Sequence, residues 1–408
     1  MIKNDDPFYE LLDGFCFASK NLYNQALYRV RQDFIAGKGY LSYNTIDKGF
    51  KTVAEGLNNS DYAAMPTAAS AQQTLKLLHN NWRAFFNARK AYKVNPDAFT
   101  GRPRLPKYLD KQGRQVLNLP GQTVKAADGN ILFPKVFNGF TLPWPMTNEV
   151  RQIRFVPHKG FIIAEIVYYA DETERLPDNG NYFSIDLGVD NFATVVSNIQ
   201  GVNPVIINGK GLKAINQYWN KNKARYTELE TLLNPIVDRK GNKHCRQTDR
   251  LQGLAYKRNN RVKDFMHKAS AYITGLAVQN NVTVIIVGKN VGWKQEVNLG
   301  KSTNQKFTGI PHARFISMLT YKCALKGITV ICQEESYTSK TSYLDNEEPR
   351  KHSVYAGRRI HRGLFKSAAD VLVNADLNGA AQIMKKVFPK AYAYGIVGCV
   401  NPVRVNVA

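Results

Sequence analysis

The N-terminal part of the chain has helical periodicity in two places. Apolar residues recur every three or four positions from Leu11 to Phe34, and again over residues 75–92. This spacing predicts two long amphipathic helices, the second with Thr67 as its N-cap. We therefore expect a helical domain over residues 11–95.

The hydrophobic pattern changes at Asn95. The segment NPDAFTGRPRLPKY is rich in proline, which predicts a stiff extended connector. Short β-rich runs follow, such as VRQIRFVP and FIIAEIVYY, and Gly, Pro, Asn and Asp separate them. This pattern is typical of an antiparallel barrel or sandwich, which we assign to residues 96–178.

The remainder of the chain alternates strands and helices. The segment YFSIDLGVDNFATVVSN predicts two strands joined by a tight turn, and residues 211–280 are helical and basic. Two buried strands (VTVIIVG and ITVICQ) and two helices (ARFISMLTYKCALKG and ADLNGAAQIMKKVF) follow. Such alternation predicts a mixed sheet with helices on its faces, and we assign it to an α/β domain over residues 179–408.

The charge balance adds information about the partner. The chain of 408 residues has 56 Lys and Arg against 32 Asp and Glu, a formal net charge of +24. Such an excess favours a polyanionic partner, and nucleic acid is the first candidate. No segment approaches the roughly 18 apolar residues of a membrane span, and the acidic start is unlike a signal peptide, so we expect a cytoplasmic protein with no membrane partner. The five cysteines form no CxxC pair, which argues against a disulfide framework or a zinc ribbon.

Two aspartates have positions that suit catalysis. Asp186 ends an apolar strand beside the tight turn, and Asp376 lies at a helix start among small residues. Each has a structural alternative: Asp186 could satisfy its own turn, and Asp376 could be an N-cap. Two-metal phosphodiester chemistry needs carboxylates from distant elements that converge at one sheet edge, and this pair meets that requirement. The DLG turn also occurs in actin-like phosphotransferases, but the net charge and the lack of a Gly-rich phosphate loop argue against that function.

Nine segments, taken in chain order, resemble the TnpB proteins of insertion sequences, the ancestors of type V CRISPR effectors. They are ELLDGFCFASKNLYNQALY, WRAFFNARKAYK, GRPRLPKY, SIDLGVDNFATVVSN, INQYWNKNKARY, HKAS, GWKQEVNLG, ESYTSKTS and NADLNGAA. The resemblance spans almost the whole chain. It implies a multidomain α+β protein with a helical recognition domain set into a wedge-like β-barrel that starts at residues 1–10. An RNase H-like (RuvC) α/β nuclease domain is expected to follow.

The resemblance also implies a function. Proteins of this family are encoded by transposable elements, carry a guide RNA, and cut target double-stranded DNA next to a short flanking motif with Mg²⁺ or Mn²⁺. One protein monomer per guide RNA is expected. The first and last RuvC aspartates of the family correspond to Asp186 and Asp376.

Two departures from the family pattern matter. Gly288 stands where the family has a glutamate after the central strand, and the loop over residues 338–368 contains no cysteine, so no structural zinc is expected. Glu335 is our first candidate to replace the missing acid and Glu334 our second, since they end the neighbouring strand; only one of two adjacent strand residues can point inward. Glu296 is a third candidate. If the strand-end acids are merely solvated, the chain is instead a nuclease-inactive RNA-guided DNA-binding repressor.

Two basic regions are candidates for nucleic-acid binding. The first is a helical face expected to hold the RNA–DNA heteroduplex through its backbone, although a solvated basic face is the alternative. It consists of Arg250, Lys257, Arg258, Arg261 and Lys268. The second interleaves with aromatic residues and is expected nearer the flanking DNA motif; Trp82 within it is expected to be core. Its basic residues are Arg83, Arg89, Lys90, Arg102, Arg104 and Lys107.

Overall fold

A computed structural model describes residues 1–52, 59–170, 173–238, 240–289 and 309–407. Contacts divide the chain into two units, Met1–Asp171 and Glu172–Ala408. The finer domain limits given above stay predictions.

Both long helices predicted for the first unit are confirmed. They are α1 (Tyr9–Ile35) and α4 (Ala68–Val94), with the shorter α2 (Tyr43–Thr52) and α3 (Ser60–Ala63) between them. Thr67 caps α4 as predicted, because its side chain accepts a hydrogen bond from the Ser70 backbone while the Ser70 hydroxyl accepts one from Thr67. Trp82 is fully buried, which confirms that it is a core residue.

Two antiparallel sheets complete the same unit, with one strand before the helices and the others after them. One has the order β1-β7-β6-β2 and the other the order β3-β4-β5. Both share one hydrophobic core with the helices, in which Leu12 of α1, Phe137 and Phe155 take part. The strands are β1 (Ile2–Lys3), β2 (Leu117–Pro120), β3 (Lys125–Ala127), β4 (Asn130–Leu132), β5 (Thr141–Pro143), β6 (Val150–His158) and β7 (Phe161–Tyr168).

The second unit is built on a six-stranded sheet of order β14-β13-β8-β9-β10-β18. Strands β8, β9 and β10 form an antiparallel meander, β13 runs parallel to β8, and β14 runs parallel to β13. This is the strand order of the RNase H-like fold with one parallel edge strand added, so the predicted fold class is confirmed. The strands are β8 (Tyr182–Leu187), β9 (Asn191–Ser197), β10 (Val205–Asn208), β13 (Val284–Gly288), β14 (Thr329–Gln333) and β18 (Val403–Val405).

Helices cover both faces of this sheet. Along β13, Ile285 and Val287 belong to one core and Val284 and Ile286 to another, as the alternation of a strand requires. The first core receives α6 (Asp249–Gln279) and α7 (His312–Ala324); the second receives α8 (Ala375–Val387).

The basic helical segment predicted over residues 211–280 consists of two helices. These are α5 (Lys210–Leu233) and α6, and between them lies a small hairpin of β11 (Ile236–Val237) and β12 (Lys243–His244). A three-stranded sheet of β15 (Arg358–His361), β16 (Leu364–Lys366) and β17 (Leu372–Asn374) leads into α8.

Candidate active site

Asp186 lies at the carboxyl end of β8, next to the central strand. Ile185 pairs with Val287, so Gly288 follows in register beside Asp186 at the same sheet edge. The Asp186 carboxylate accepts a hydrogen bond from the Leu187 backbone. The turn itself is closed by the backbone, since the Gly188 N–H donates to the Phe192 carbonyl at 3.1 Å. The turn therefore does not require the carboxylate of Asp186.

Glu335 occupies the space that a side chain at position 288 would need. Gly288 pairs with Gln333 at the end of β14, and the chain continues to Glu335, whose side chain folds back over the glycine. A Cβ at position 288 would lie 2.5 Å from Glu335 Oε2 and 2.6 Å from Ile383 Cδ1. Real Cβ atoms are essentially never found so close to another atom, so a side chain at 288 would displace the flexible ends of the Glu335 and Ile383 side chains.

Glu334 points away from this site. Its carboxylate accepts hydrogen bonds from the Ser336 hydroxyl at 2.7 Å and from Lys386 Nζ at 3.0 Å, and the residue is exposed. Of the two adjacent glutamates, the structure turns Glu335 inward and Glu334 outward. Glu296 lies outside the described residues.

Asp376 lies in the first turn of α8, close to the hairpin at the end of β8. The N-cap of α8 is Asn374, whose side chain accepts hydrogen bonds from the backbones of Asp376 and Leu377, so the N-cap alternative for Asp376 is wrong. The Asp376 carboxylate instead accepts a hydrogen bond from Asn191 Nδ2 at 2.6 Å and lies 3.5 Å from Arg359 Nη2. Its side chain is held between the β9 strand and the β15 strand.

Small residues let α8 approach the sheet. A Cβ at Gly379 would lie 2.8 Å from Asp186 Oδ2. Two residues before Asp186 on β8, the Ser184 hydroxyl donates to the Ala380 carbonyl at 2.6 Å. This close packing leaves room for the Asp186 carboxylate.

The acids influence one another electrostatically. Burial raises the pKa of Asp186 well above its ordinary value, and the charges of Asp376 and Glu335 raise it further, while Arg359 lowers it. Burial, followed by the charge of Glu334, raises the pKa of Glu335 to about 7. For Glu334, burial alone would raise the pKa, but hydrogen bonds from Ser336 and Lys386 outweigh it and lower the pKa.

The three acids share one type of donor atom. The donors are carboxylate oxygens, which Mg²⁺ and Mn²⁺ prefer. The acids repel one another, and a bound cation would relieve this repulsion. The glycines at 288 and 379 keep the space around the carboxylates free of side chains. Within the described ranges, no three His, Cys, Asp or Glu side chains are drawn together tightly enough to hold an ion. In this arrangement Arg359 supplies the positive charge beside Asp376.

The basic residues predicted on α6 differ in their environments. Arg250, Lys257 and Arg261 are exposed, whereas Lys268 pairs with Asp264 at 2.8 Å. Arg258 is anchored within the protein, with Nε donating to Asn216 at 2.8 Å and Nη2 to the Gly309 carbonyl at 2.6 Å.

The second basic set lies along α4 and the proline-rich connector. Arg89 is half-buried on α4, and the other members of the set are exposed. These exposed members are Arg83, Lys90, Arg102, Arg104 and Lys107.

Sequence reasoning missed Arg359 and Asn191 as neighbours of Asp376. The basic run GRRIHRG in the cysteine-free loop was the available signal for Arg359. Asn191 follows the DLG turn, but its contact with a residue 185 positions later depends on the fold.

Two family models match the chain. OrfB_IS605, described as "Probable transposase", matches residues 165–294, and "Cas12f1-like, TNB domain" matches residues 312–383. These matches confirm the resemblance stated from the sequence. No curated protein matches the chain.

Solved structures of CRISPR effectors are also similar to this chain. A structure titled "Cryo-EM structure of the Cas12f1-sgRNA-target DNA complex" aligns over 94% of this chain and 97% of that one, with 14% identity and a TM-score of 0.38. A second, "Cryo-EM structure of CRISPR-Cas12f Ternary Complex", aligns over 94% and 82% with 14% identity and a TM-score of 0.37.

Within the described residues, none of the helices combines the length and the apolar character needed to cross a bilayer.

Proposed function

We propose, with the resemblance to TnpB proteins as the premise, that this chain is an RNA-guided DNA endonuclease encoded by a transposable element. It carries a guide RNA and cuts target double-stranded DNA next to a short flanking motif. The observation that carries the proposal is the position of Glu335, which folds back over Gly288 toward Asp186. In this proposal the neighbouring strand supplies the carboxylate that the central strand lacks.

Asp186, Glu335 and Asp376 would hold Mg²⁺ or Mn²⁺. When bound, such ions polarise a phosphodiester and activate water for its hydrolysis. The chain's own residues supply the positions of the donors. Gly288 and Gly379 leave space for the carboxylates, and Asn191 orients the Asp376 side chain by a hydrogen bond of 2.6 Å.

Arg359 adds a positive charge at the same edge of the sheet. Its guanidinium lies 3.5 Å from Asp376 and lowers the pKa of Asp186. A guanidinium also pairs strongly with phosphate oxygens. When a phosphodiester enters, Arg359 is therefore positioned to exchange its carboxylate partner for the phosphate and to hold the strand against the acids.

The basic residues of α6 would contribute affinity without reading sequence. Arg250, Lys257 and Arg261 are exposed on one helix, and phosphate contacts of this kind attract any nucleic-acid backbone. In an RNA-guided enzyme the guide supplies sequence choice by base pairing.

The test begins with the RNA that copurifies with the full chain. Sequencing should give one structured species that ends in a variable guide, and the complex should cut a matching DNA in Mg²⁺ or Mn²⁺. Asp186→Ala should abolish cutting and leave target binding nearly intact, because removing a ligand removes chemistry but few phosphate contacts. Glu335→Gln should behave likewise, while Glu334→Gln, its adjacent control, should cut normally. Normal cutting by Asp186→Ala would refute the assignment.

A second candidate is a nuclease-inactive, RNA-guided DNA-binding repressor of the same fold. The observation that favours it is the glycine at position 288, which removes the family's own acid from the central strand. Guided binding by the wild type without any cutting in Mg²⁺ or Mn²⁺ would establish this function instead.

A further inference from the structure

A groove of about 410 Å³ runs between α5 and α6 in the second unit. The two helices are antiparallel, because Asn216 contacts Arg258 while Tyr226 contacts Arg250. Apolar side chains of Ile215 and Leu254 line it together with aromatic and basic residues. The volume is in the range of pockets that hold a ligand of nucleotide size.

Arginine–aromatic pairs lie at two points along the groove. The guanidinium of Arg250 lies 4.1 Å from the centre of the Tyr226 ring, and that of Arg258 lies 5.4 Å from the Trp219 ring. Arg258 is held in place by its hydrogen bonds to Asn216 and Gly309, so this wall is fixed. Tyr218, also lining the groove, is 61% exposed.

The charge of the lining points to one class of ligand. Four of its residues are basic, Arg250, Lys257, Arg258 and Arg261, and no acidic residue lines the groove in the described part of the chain. Aromatic faces combined with guanidinium groups are the platform on which proteins stack unpaired bases while cations hold the phosphates. A duplex would offer phosphates to the cations but no unpaired base to the aromatic side chains.

Gly253 leaves the backbone of α6 bare at the groove. It lies in the interior of α6 and lines the groove, and a Cβ built there would meet no atom within 4 Å. Glycine inside a helix costs about 1 kcal/mol relative to alanine, and no neighbouring atom of the described protein requires it here. A bare backbone at this point does allow a flat ligand to approach the helix closely.

We propose that this groove binds an unstacked nucleobase of single-stranded nucleic acid, with the flanking phosphates held by the basic residues. The inference deepens the proposed function, because it specifies that this face takes bases of a single strand and not only the backbone of a heteroduplex. The inference rests on the proposed function only in taking nucleic acid as the class of ligand.

The test measures binding by the full-length chain without guide RNA, in EDTA. The probes are fluorescein-labelled oligo(dT) and oligo(U) of about twelve nucleotides, and a duplex of the same length. Trp219→Ala should weaken single-strand binding about 5- to 100-fold, since stacking on one aromatic side chain contributes on that scale. Trp219→Phe should retain most of the affinity. Duplex binding should change little in either variant.

Glycine variants provide a test that alters neither charge nor aromatic residues. Gly253→Leu should reduce single-strand affinity to a similar degree, because its side chain fills the groove. The matched control is Gly275→Leu on the same helix, where a Cβ also meets nothing within 4 Å but which does not line the groove. It should bind as the wild type does.

The outcomes separate the possibilities. Preference for oligo(U) or for oligo(dT) identifies the strand as RNA or DNA and supports the proposal in either case. Unchanged single-strand affinity in both Trp219→Ala and Gly253→Leu overturns it, as does an equal loss for duplex and single strand. Because no cutting is measured, a failure here leaves the endonuclease proposal standing, and an inactive nuclease leaves this one standing.

Discussion

Replacing Glu335 by glutamine removes one negative charge from the acid cluster and nearly preserves the shape of the side chain. Burial raises the pKa of Glu335 from an ordinary 4.5 to about 7, with the charge of Glu334 adding to the effect. The folded chain therefore binds this proton more tightly than the unfolded chain. The stability that depends on the proton is complete below the ordinary pKa and is lost as the pH rises through about 7.

The size of the effect follows from these two values. Ionising Glu335 in the folded state costs about 3 kcal/mol, which is fully expressed near pH 8 and falls to under about 1 kcal/mol at pH 5. Glutamine does not ionise, so the variant avoids the cost. We expect the unfolding free energy of Glu335→Gln, relative to wild type, to gain about 2–3 kcal/mol between pH 5 and pH 8.

The assay is differential scanning calorimetry in EDTA. For a folding unit the size of Glu172–Ala408, a change of 1 kcal/mol moves Tm by about 2–4 °C. The Tm difference between variant and wild type should thus widen by about 5–10 °C from pH 5 to pH 8. Any loss of stability caused by exchanging a carboxyl for an amide is largely the same at both pH values, so it does not affect the comparison of Tm differences. Adding Mg²⁺ at pH 8 should narrow the gap by stabilising the wild type more.

Glu334→Gln is the matched control, one residue away. Hydrogen bonds from Ser336 and Lys386 lower the pKa of Glu334 despite its slight burial, so its ionised form is the one that folding favours. Glu334→Gln loses these favourable contacts of the ionised form and relieves only the smaller contribution of the Glu334 charge to the pKa of Glu335, so it should not reproduce the stabilisation that grows with pH in Glu335→Gln. If Glu335→Gln shows the same Tm difference at pH 5 and pH 8, then Glu335 is not held as a buried charge, and the reasoning about its position is refuted.

Three further predictions concern activity. Asp376→Asn should reduce cleavage by the guided complex to background while an electrophoretic mobility shift with target DNA stays near wild type; normal cutting would exclude Asp376 as a ligand. Gly288→Ala should reduce cleavage about 10- to 100-fold without changing any charge, since its methyl group displaces the Glu335 carboxylate and small displacements of catalytic groups have effects of this size; an unchanged rate would contradict this. Neutralising Arg250, Lys257 and Arg261 together should weaken nucleic-acid binding for every guide. The slope of log affinity against log salt concentration should flatten by about one unit for each phosphate that the protein no longer neutralises. An unaltered slope would mean that this helix face is merely solvated.

Periodicity and spacing predicted most of the secondary structure. Helices α1 and α4 and strands β8, β9, β13 and β14 lie where apolar spacing placed them, because these elements are long or strongly apolar. The short strands β10 and β18 and the sheet of β15, β16 and β17 were not predicted. The break within residues 211–280 was not predicted. There the strands β11 and β12 are only two residues long each, and they contribute no buried side chains.

The site was predictable only in part. The order of the elements along the chain predicts that Asp186 and Asp376 meet at one edge of the sheet. Glu334 and Glu335 end the same strand, so only one of them can point inward, and we ranked Glu335 first. The partners of Asp376 did not follow, because Arg359 and Asn191 are distant from it in sequence. Contacts of this kind depend on how the β15 strand lies against α8, which no local pattern determines.

The glycine at 288 and the inward position of Glu335 are coupled, because both concern the same volume at the sheet edge. A carboxylate on the central strand and a carboxylate folded in from β14 would compete for the same volume, as the 2.5 Å approach at position 288 demonstrates. A glutamate at both positions would force one of them out, and glycine at both would leave the edge with only Asp186 and Asp376. Glycine at 288 leaves open the volume that the Glu335 carboxylate occupies, so the cleavage assay of the wild type, and not the residue at 288, decides between the endonuclease and the repressor.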